Sequence, residues 1–151
     1  MAEAMQPDVV RSLLPWRHPF LMVDRVLECV PHRRIVTSRG VTSDEAMADR
    51  SDASLPGMMI VEGMSQSAAL LFQLSYGKIA TGRIPLLGSL KASWSSPARP
   101  GDVIVFTVEA IKMTSTMGIF SAEAGVAGET IASAELAFAV ADPLAIAGGP
   151  S

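Results

Sequence analysis

The sequence predicts an α+β domain in which one antiparallel sheet wraps a single long central helix. Three observations predict it. Residues 57–76 hold helix formers without an internal proline and are apolar nearly all round; two strand-like runs precede them; four more follow, separated by turn signals. A helix without a broad polar face must be covered on every side, and in a chain this short one sheet gives that cover by curling round it.

The elements follow in order. Residues 1–8 are expected to be a flexible N-terminus. Asp8 is placed to cap a short helix whose apolar face is Val9, Val10, Leu13 and Leu14, and Pro15 ends it. The apolar run 20–30 reads as a buried strand, Pro31 to Arg34 as a turn, and 35–41 as a second strand. Residues 42–54 are small, acidic and aperiodic, which is loop chemistry leading into the helix. Gly77 and Gly82 mark the helix end. A strand over 86–95 runs into the proline-glycine turn 97–102, and 103–111, rich in β-branched residues, forms the next. Strands over 117–126 and 130–140 meet at Ala127-Gly128-Glu129, where glycine permits a tight hairpin. One domain over 9–142 and a flexible tail over 143–151 account for the chain.

With 151 residues, 49% of them hydrophobic, the chain can bury one substantial core. A net charge of −3 and the lack of a basic run with interleaved aromatics argue against nucleic acid as a partner. Cys29 is the single cysteine, so no intrachain disulfide forms, and with only His18 and His32 beside it no metal site of zinc spacing is expected. The opening residues lack the basic start and apolar core of a signal peptide. The central helix approaches membrane-span length, but Glu62 and the polar residues around it argue for burial in protein. A cytoplasmic location is expected, with no membrane association.

Glu62 is the one carboxylate of the helix. Helical geometry brings Glu62, Gln66 and Gln73 within about 40° of one another, so the strongly polar groups share a stripe able to face a cleft. A carboxylate sunk in such a helix is costly when ionised, and desolvation would raise its pKa toward neutrality, which suits proton transfer. Alternatively, Glu62 is structural, satisfied by local donors or exposed near the positive end of the helix dipole. The residues alone leave both readings open.

Three segments carry a resemblance. Leu13-Leu-Pro-Trp-Arg-His-Pro-Phe-Leu-Met-Val-Asp-Arg-Val-Leu27, Pro56-Gly-Met-Met-Ile-Val-Glu-Gly-Met-Ser-Gln66 and Pro97-Ala-Arg-Pro-Gly-Asp102 resemble, in order and at plausible spacing, the opening, helix and turn motifs of the beta-hydroxyacyl-acyl-carrier-protein dehydratases of type II fatty acid synthesis. The resemblance covers roughly residues 9–140. It implies a hot-dog fold, in which the sheet wraps the helix and two protomers join their sheets into a dimer. It also implies a substrate thioester on the phosphopantetheine arm of an acyl carrier protein, lying in a tunnel at the dimer interface, with no further cofactor. In that family an acid from one protomer and a histidine from the other carry out dehydration. Glu62 matches the acid and Gln66 the glutamine one turn later. Gln66, Gly57 and Met58 are candidate substrate-binding residues: Gly57 would let a thioester carbonyl approach the helix-start donors, although helix-sheet packing also selects glycine there. Met58, Met59 and Met64 are most simply core, or a pliable lining for acyl chains.

The family's histidine does not carry over. An ungapped count puts Ala48 at its position, within Met47-Ala-Asp-Arg-Ser-Asp-Ala-Ser54. Elimination of water needs a base for the proton alpha to the carbonyl and an acid for the departing hydroxyl. Three readings follow. A related, histidine-bearing subunit completes one composite site in a heterodimer; or His18 substitutes, at a position where the family commonly has tyrosine, with histidine two residues earlier where this chain has Trp16; or the site is converted, with Asp49 or Asp52 joining Glu62 in thioester hydrolysis, or with acyl binding and scaffolding alone. The first is preferred, acting on carrier-bound fatty acyl or polyketide (polyene) intermediates; the assembly expected from the family is a homo- or heterodimer with a related dehydratase subunit. His32 reads as a solvated turn residue. Asp24 and Arg25 fit an ion pair ordering the strand as well as any site role. Arg33, Arg34, Arg39, Arg50 and Arg99 are candidates for a patch facing the acidic carrier, or for a scattered solvated surface.

Overall fold

In the computed structural model, which describes residues 5, 7–44 and 54–148, the chain runs α1 (Pro7–Leu13), β1 (Arg25–Val30), β2 (Arg34–Gly40), α2 (Gly57–Tyr76), β3 (Ile84–Trp94), β4 (Val103–Met113), β5 (Met117–Val126), β6 (Glu129–Ala141) and α3 (Pro143–Ala147). All six strands join one antiparallel sheet in the order β1-β2-β4-β5-β6-β3. The chain therefore lays down β3 at the far edge after α2, then builds β4, β5 and β6 back towards it. This is the hot-dog arrangement expected from the sequence.

The period-two pattern of β4 and β5 turns Ile104, Phe106, Val108, Phe120, Ala122 and Ala124 inward, all buried against α2. The helix interior answers with Ile60, Met64, Ala68, Leu71 and Phe72. Gly63 lets the two layers meet: a side-chain carbon there would overlap the Phe106 ring. Two polar side chains sit in this core and satisfy each other, Thr37 and Ser67 being 2.7 Å apart while the Ser67 hydroxyl also reaches the Gly63 carbonyl at 2.7 Å.

Two local expectations change. The strand expected over 20–30 begins only at Arg25: the Leu21 amide turns back to the Arg17 carbonyl, and of the residues before Arg25 Asp24 already reaches β2, its amide donating to the Ser38 carbonyl at 2.9 Å. The Met22 amide donates to Gln66 Oε1, and the Asp24 carboxylate accepts from the Gly40 amide. That bond, and not an ion pair with Arg25, is what the Asp24 side chain makes. The tail expected from residue 143 contains α3, whose start Asp142 caps by accepting from the Leu144 amide at 2.9 Å.

The open edge strand β3 exposes several large apolar side chains. Ile84, Leu86, Leu87, Leu90 and Trp94 all stand exposed on this strand, which pairs with β6 on one side and, among the described residues, with nothing on the other. An eleven-residue edge with this character invites strand pairing. Among the described residues no helix is long and apolar enough to cross a membrane.

Candidate active site

Glu62 lies half-buried on the second turn of α2 and opens into a cavity of about 120 Å³ whose other walls include Trp16, Ala69, Leu87, Leu136 and Phe138. Except for Glu62, Ser65 and Gln66, the lining is apolar or aromatic. A single carboxylate in such surroundings suits proton transfer to an apolar substrate.

Gln66 fixes that carboxylate. Its side chain is fully buried (0% exposed), and each of its polar atoms is used. Oε1 accepts from the Met22 amide at 2.8 Å, while Nε2 donates to the Phe20 carbonyl at 2.8 Å and to Glu62 Oε1 at 3.0 Å. Backbone partners of opposite polarity settle which end of the amide is which. The opening segment thus orients Gln66, and Gln66 orients Glu62. Gln66 is expected to bind substrate; it lines the cavity, and its hydrogen bonds go to Met22, Phe20 and Glu62. Gln73 ties the same stripe further down, donating to the Leu13 carbonyl at 2.8 Å and accepting from the Ile79 amide at 3.1 Å. The polar stripe read from helical spacing therefore faces the N-terminal segment.

The remaining candidates are placed elsewhere. His18 is exposed, does not line the Glu62 cavity and lies near Asp44. The Thr42 hydroxyl, more than anything else, holds the Asp44 carboxyl below its ordinary range, with His18 a minor contributor. Met58 is 57% exposed and is likewise absent from the cavity wall. Gly57 sits beneath the Trp94 indole, which a side-chain carbon there would overlap, so packing accounts for this glycine. His32 occupies the β1–β2 turn at φ 64°, meeting Tyr76 edge-on at 4.8 Å. Its amide donates to Ser75 Oγ.

Among the described residues the arginine patch does not assemble. Arg39 is buried, and Arg34 pairs with Glu28 at 2.8 Å and Glu109 at 3.7 Å. Arg33 and Arg99 lie beyond opposite ends of the β2–β4 ladder. Ala48, Asp49, Arg50 and Asp52 fall outside the described residues.

Sequence reasoning missed the walls contributed by Trp16, Pro85 and Leu87. Trp16 was in plain view within the opening motif. Leu87 had no local signal: it lines the cavity while remaining 53% exposed on the open edge of β3.

Comparison with known proteins places this geometry in context. A family profile described as ApeP-like, ApeP dehydratase, matches residues 9–146. A 3-hydroxyacyl-[acyl-carrier-protein] dehydratase FabZ of Symbiobacterium thermophilum is 36% identical over 135 residues, covering 87% of this chain and 94% of the relative. The enzyme of the same description from Xanthomonas campestris is 32% identical over 132 residues, covering 84% and 86%. Among solved structures, the dehydratase heterocomplex ApeI:P from Xenorhabdus doucetiae superposes with a TM-score of 0.77 at 15% identity, covering 91% of this chain and 94% of that one. Zebra fish thioesterase superfamily member 2 superposes with a TM-score of 0.69 at 18% identity, covering 89% and 95%. At these identities the two structures support the fold.

Proposed function

The chain belongs to the ApeP-like dehydratase family, and from that premise we propose that it is the acid-bearing half of a (3R)-3-hydroxyacyl-[acyl-carrier-protein] dehydratase whose site is completed by a related, histidine-bearing subunit. One observation carries this reading: the Glu62 cavity reaches the open edge of β3 through Leu87. A subunit that pairs with that edge also closes the cavity and brings its own side chains to it.

In the proposed step the partner's histidine, neutral at the start, takes the proton from the carbon alpha to the thioester carbonyl. Protonated Glu62 gives its proton to the hydroxyl on the next carbon. The carbon–oxygen bond breaks, water leaves and the double bond forms between the two carbons. Glu62 ends ionised and the histidine protonated, and proton exchange with water resets both. Gln66 keeps the carboxyl aimed at the departing hydroxyl. Neither histidine of this chain lines the Glu62 cavity, which is why the base is assigned to the partner and not to His18.

The substrate is a fatty acyl or polyketide (polyene) intermediate carried on phosphopantetheine by an acyl carrier protein, which needs no other cofactor, and the setting is the cytoplasm. The ApeI:P heterocomplex, described as a dehydratase, is an assembly of the kind this reading requires. Glu62→Gln tests it. The variant should still assemble with the partner, while turnover by the pair falls at least about 100-fold. Full turnover in the variant contradicts the assignment.

A further inference from the structure

Building on the dehydratase reading, we propose that a second cavity, next to that of Glu62, seats the phosphate of the carrier's phosphopantetheine arm. This cavity, of about 320 Å³, lies where the end of α1, the segment around Trp16 and the α2–β3 loop meet. Its lining holds four cations, Arg11, Arg17, Lys78 and Arg83, and no carboxylate. In a chain of net charge −3 this is a local concentration of positive charge.

Two of the four are fixed in place without being neutralised. Arg17 donates to the carbonyls of Leu14 and Trp16, both at 2.8 Å, and of Arg11 at 3.0 Å, and Arg83 donates to the Val140 carbonyl at 3.1 Å. Among the described residues no salt bridge involves any of the four. A concave site with fixed, uncompensated guanidinium groups is suited to phosphate.

Position supports the same ligand. Trp16, Ala69 and Pro85 wall both cavities, so one groove leads from Glu62 into the cationic chamber. Along α2 the step from Glu62 to Gln73, which lines the chamber, is eleven residues, or about 16 Å. Thirteen bonds separate the thioester sulfur from the phosphorus of a phosphopantetheine arm. Extended chain gains about 3.5 Å for every three bonds, so the arm spans about 15 Å. With the thioester at Glu62, the phosphate reaches the chamber.

The test compares 3-hydroxyacyl thioesters of phosphopantetheine and of phosphate-free pantetheine, turned over by this chain together with its histidine-bearing partner. The expected result is a KM about tenfold lower for the phosphorylated arm. That preference should shrink to about twofold in Arg11→Ala/Lys78→Ala and fade with added salt. Equal KM values for the two arms, or a preference undiminished by the double substitution, overturn the proposal. A coenzyme A thioester used as well as the carrier-bound one would move the phosphate's source to the coenzyme and overturn the carrier assignment. If neither arm is dehydrated, the dehydratase reading fails, and binding of phosphopantetheine against pantetheine then decides the chamber by itself. In a Trp94→Phe background, where Trp16 is the one remaining indole, its fluorescence should report about tenfold tighter binding of the phosphorylated arm; equal binding overturns the proposal.

Discussion

Glu62 and Gln66 form a hydrogen-bonded pair that spacing on one helix made legible: residues four apart share a face, and Gln66 Nε2 does reach Glu62 Oε1 at 3.0 Å. The spacing did not disclose that Gln66 is anchored by Phe20 and Met22, forty-odd positions earlier. Replacing Gln66 with Leu removes both anchors and leaves the Met22 amide unpaired in the interior. The expected cost is about 2–3 kcal/mol in urea denaturation, and a loss under about 0.5 kcal/mol would show that water or a neighbour replaces the amide. His18 illustrates the opposite case. Its place near Asp44 depends on a turn for which the local sequence offers only loop chemistry. Cys29 gives a pH-dependent prediction. Burial, and secondarily the charge of Glu28, raise its thiol above the ordinary value. A neutral thiol preferred by the fold contributes its full stability below the unfolded-state pKa and loses it as pH rises toward the folded one. Alkylation of Cys29 at mildly alkaline pH should therefore be slow in the native protein and rapid in denaturant; equal rates would contradict its burial.

At the scale of elements, α2 was fully legible, and it spans Gly57–Tyr76 as the continuous apolar helical run predicts. The strand over 20–30 was legible only in its second half. Apolarity marked the run as buried, which holds for Met22, Val23, Val26 and Cys29, but it does not distinguish a strand that pairs with β2 from extended chain hydrogen-bonded to a helix side chain. The close layer packing at Gly63 against Phe106 was not visible in sequence, since it depends on which inward ring faces which turn of α2. Gly63→Ala should cost about 1–3 kcal/mol through overpacking, read as a lower denaturation midpoint with α-helical content retained. A variant as stable as the parent would mean that Phe106 moves aside freely. β3 read as a strand over 86–95, with no face of it assigned, and its apolar side chains look for cover. The cover it anticipates is absent from a single chain, so Ile84, Leu87 and Trp94 stand exposed.

For the whole molecule, the proposed composite site would make association at that edge and catalysis in the cavity behind it one event. A charge at the edge should uncouple them: Leu90→Lys is expected to shift the sedimenting species from dimer towards monomer and to lower turnover by the pair, while a dimer of undiminished affinity would place the interface elsewhere. The fold class was legible in the order of helix and strand runs, and the place of Glu62 on α2 in one contiguous segment. The cationic chamber was not, because its four charges come from positions 11, 17, 78 and 83 in a chain whose net charge is negative, and only the fold gathers them. The most direct measurement is intact-mass analysis of a 3-hydroxyacyl carrier protein incubated with this chain, with its closest histidine-bearing relative from the same organism carrying its own acid changed to the amide, and with the two mixed. A composite site predicts loss of one water only in the mixture, since each chain then supplies what the other lacks. Loss of water with this chain alone, or an unchanged mass in all three, would contradict it.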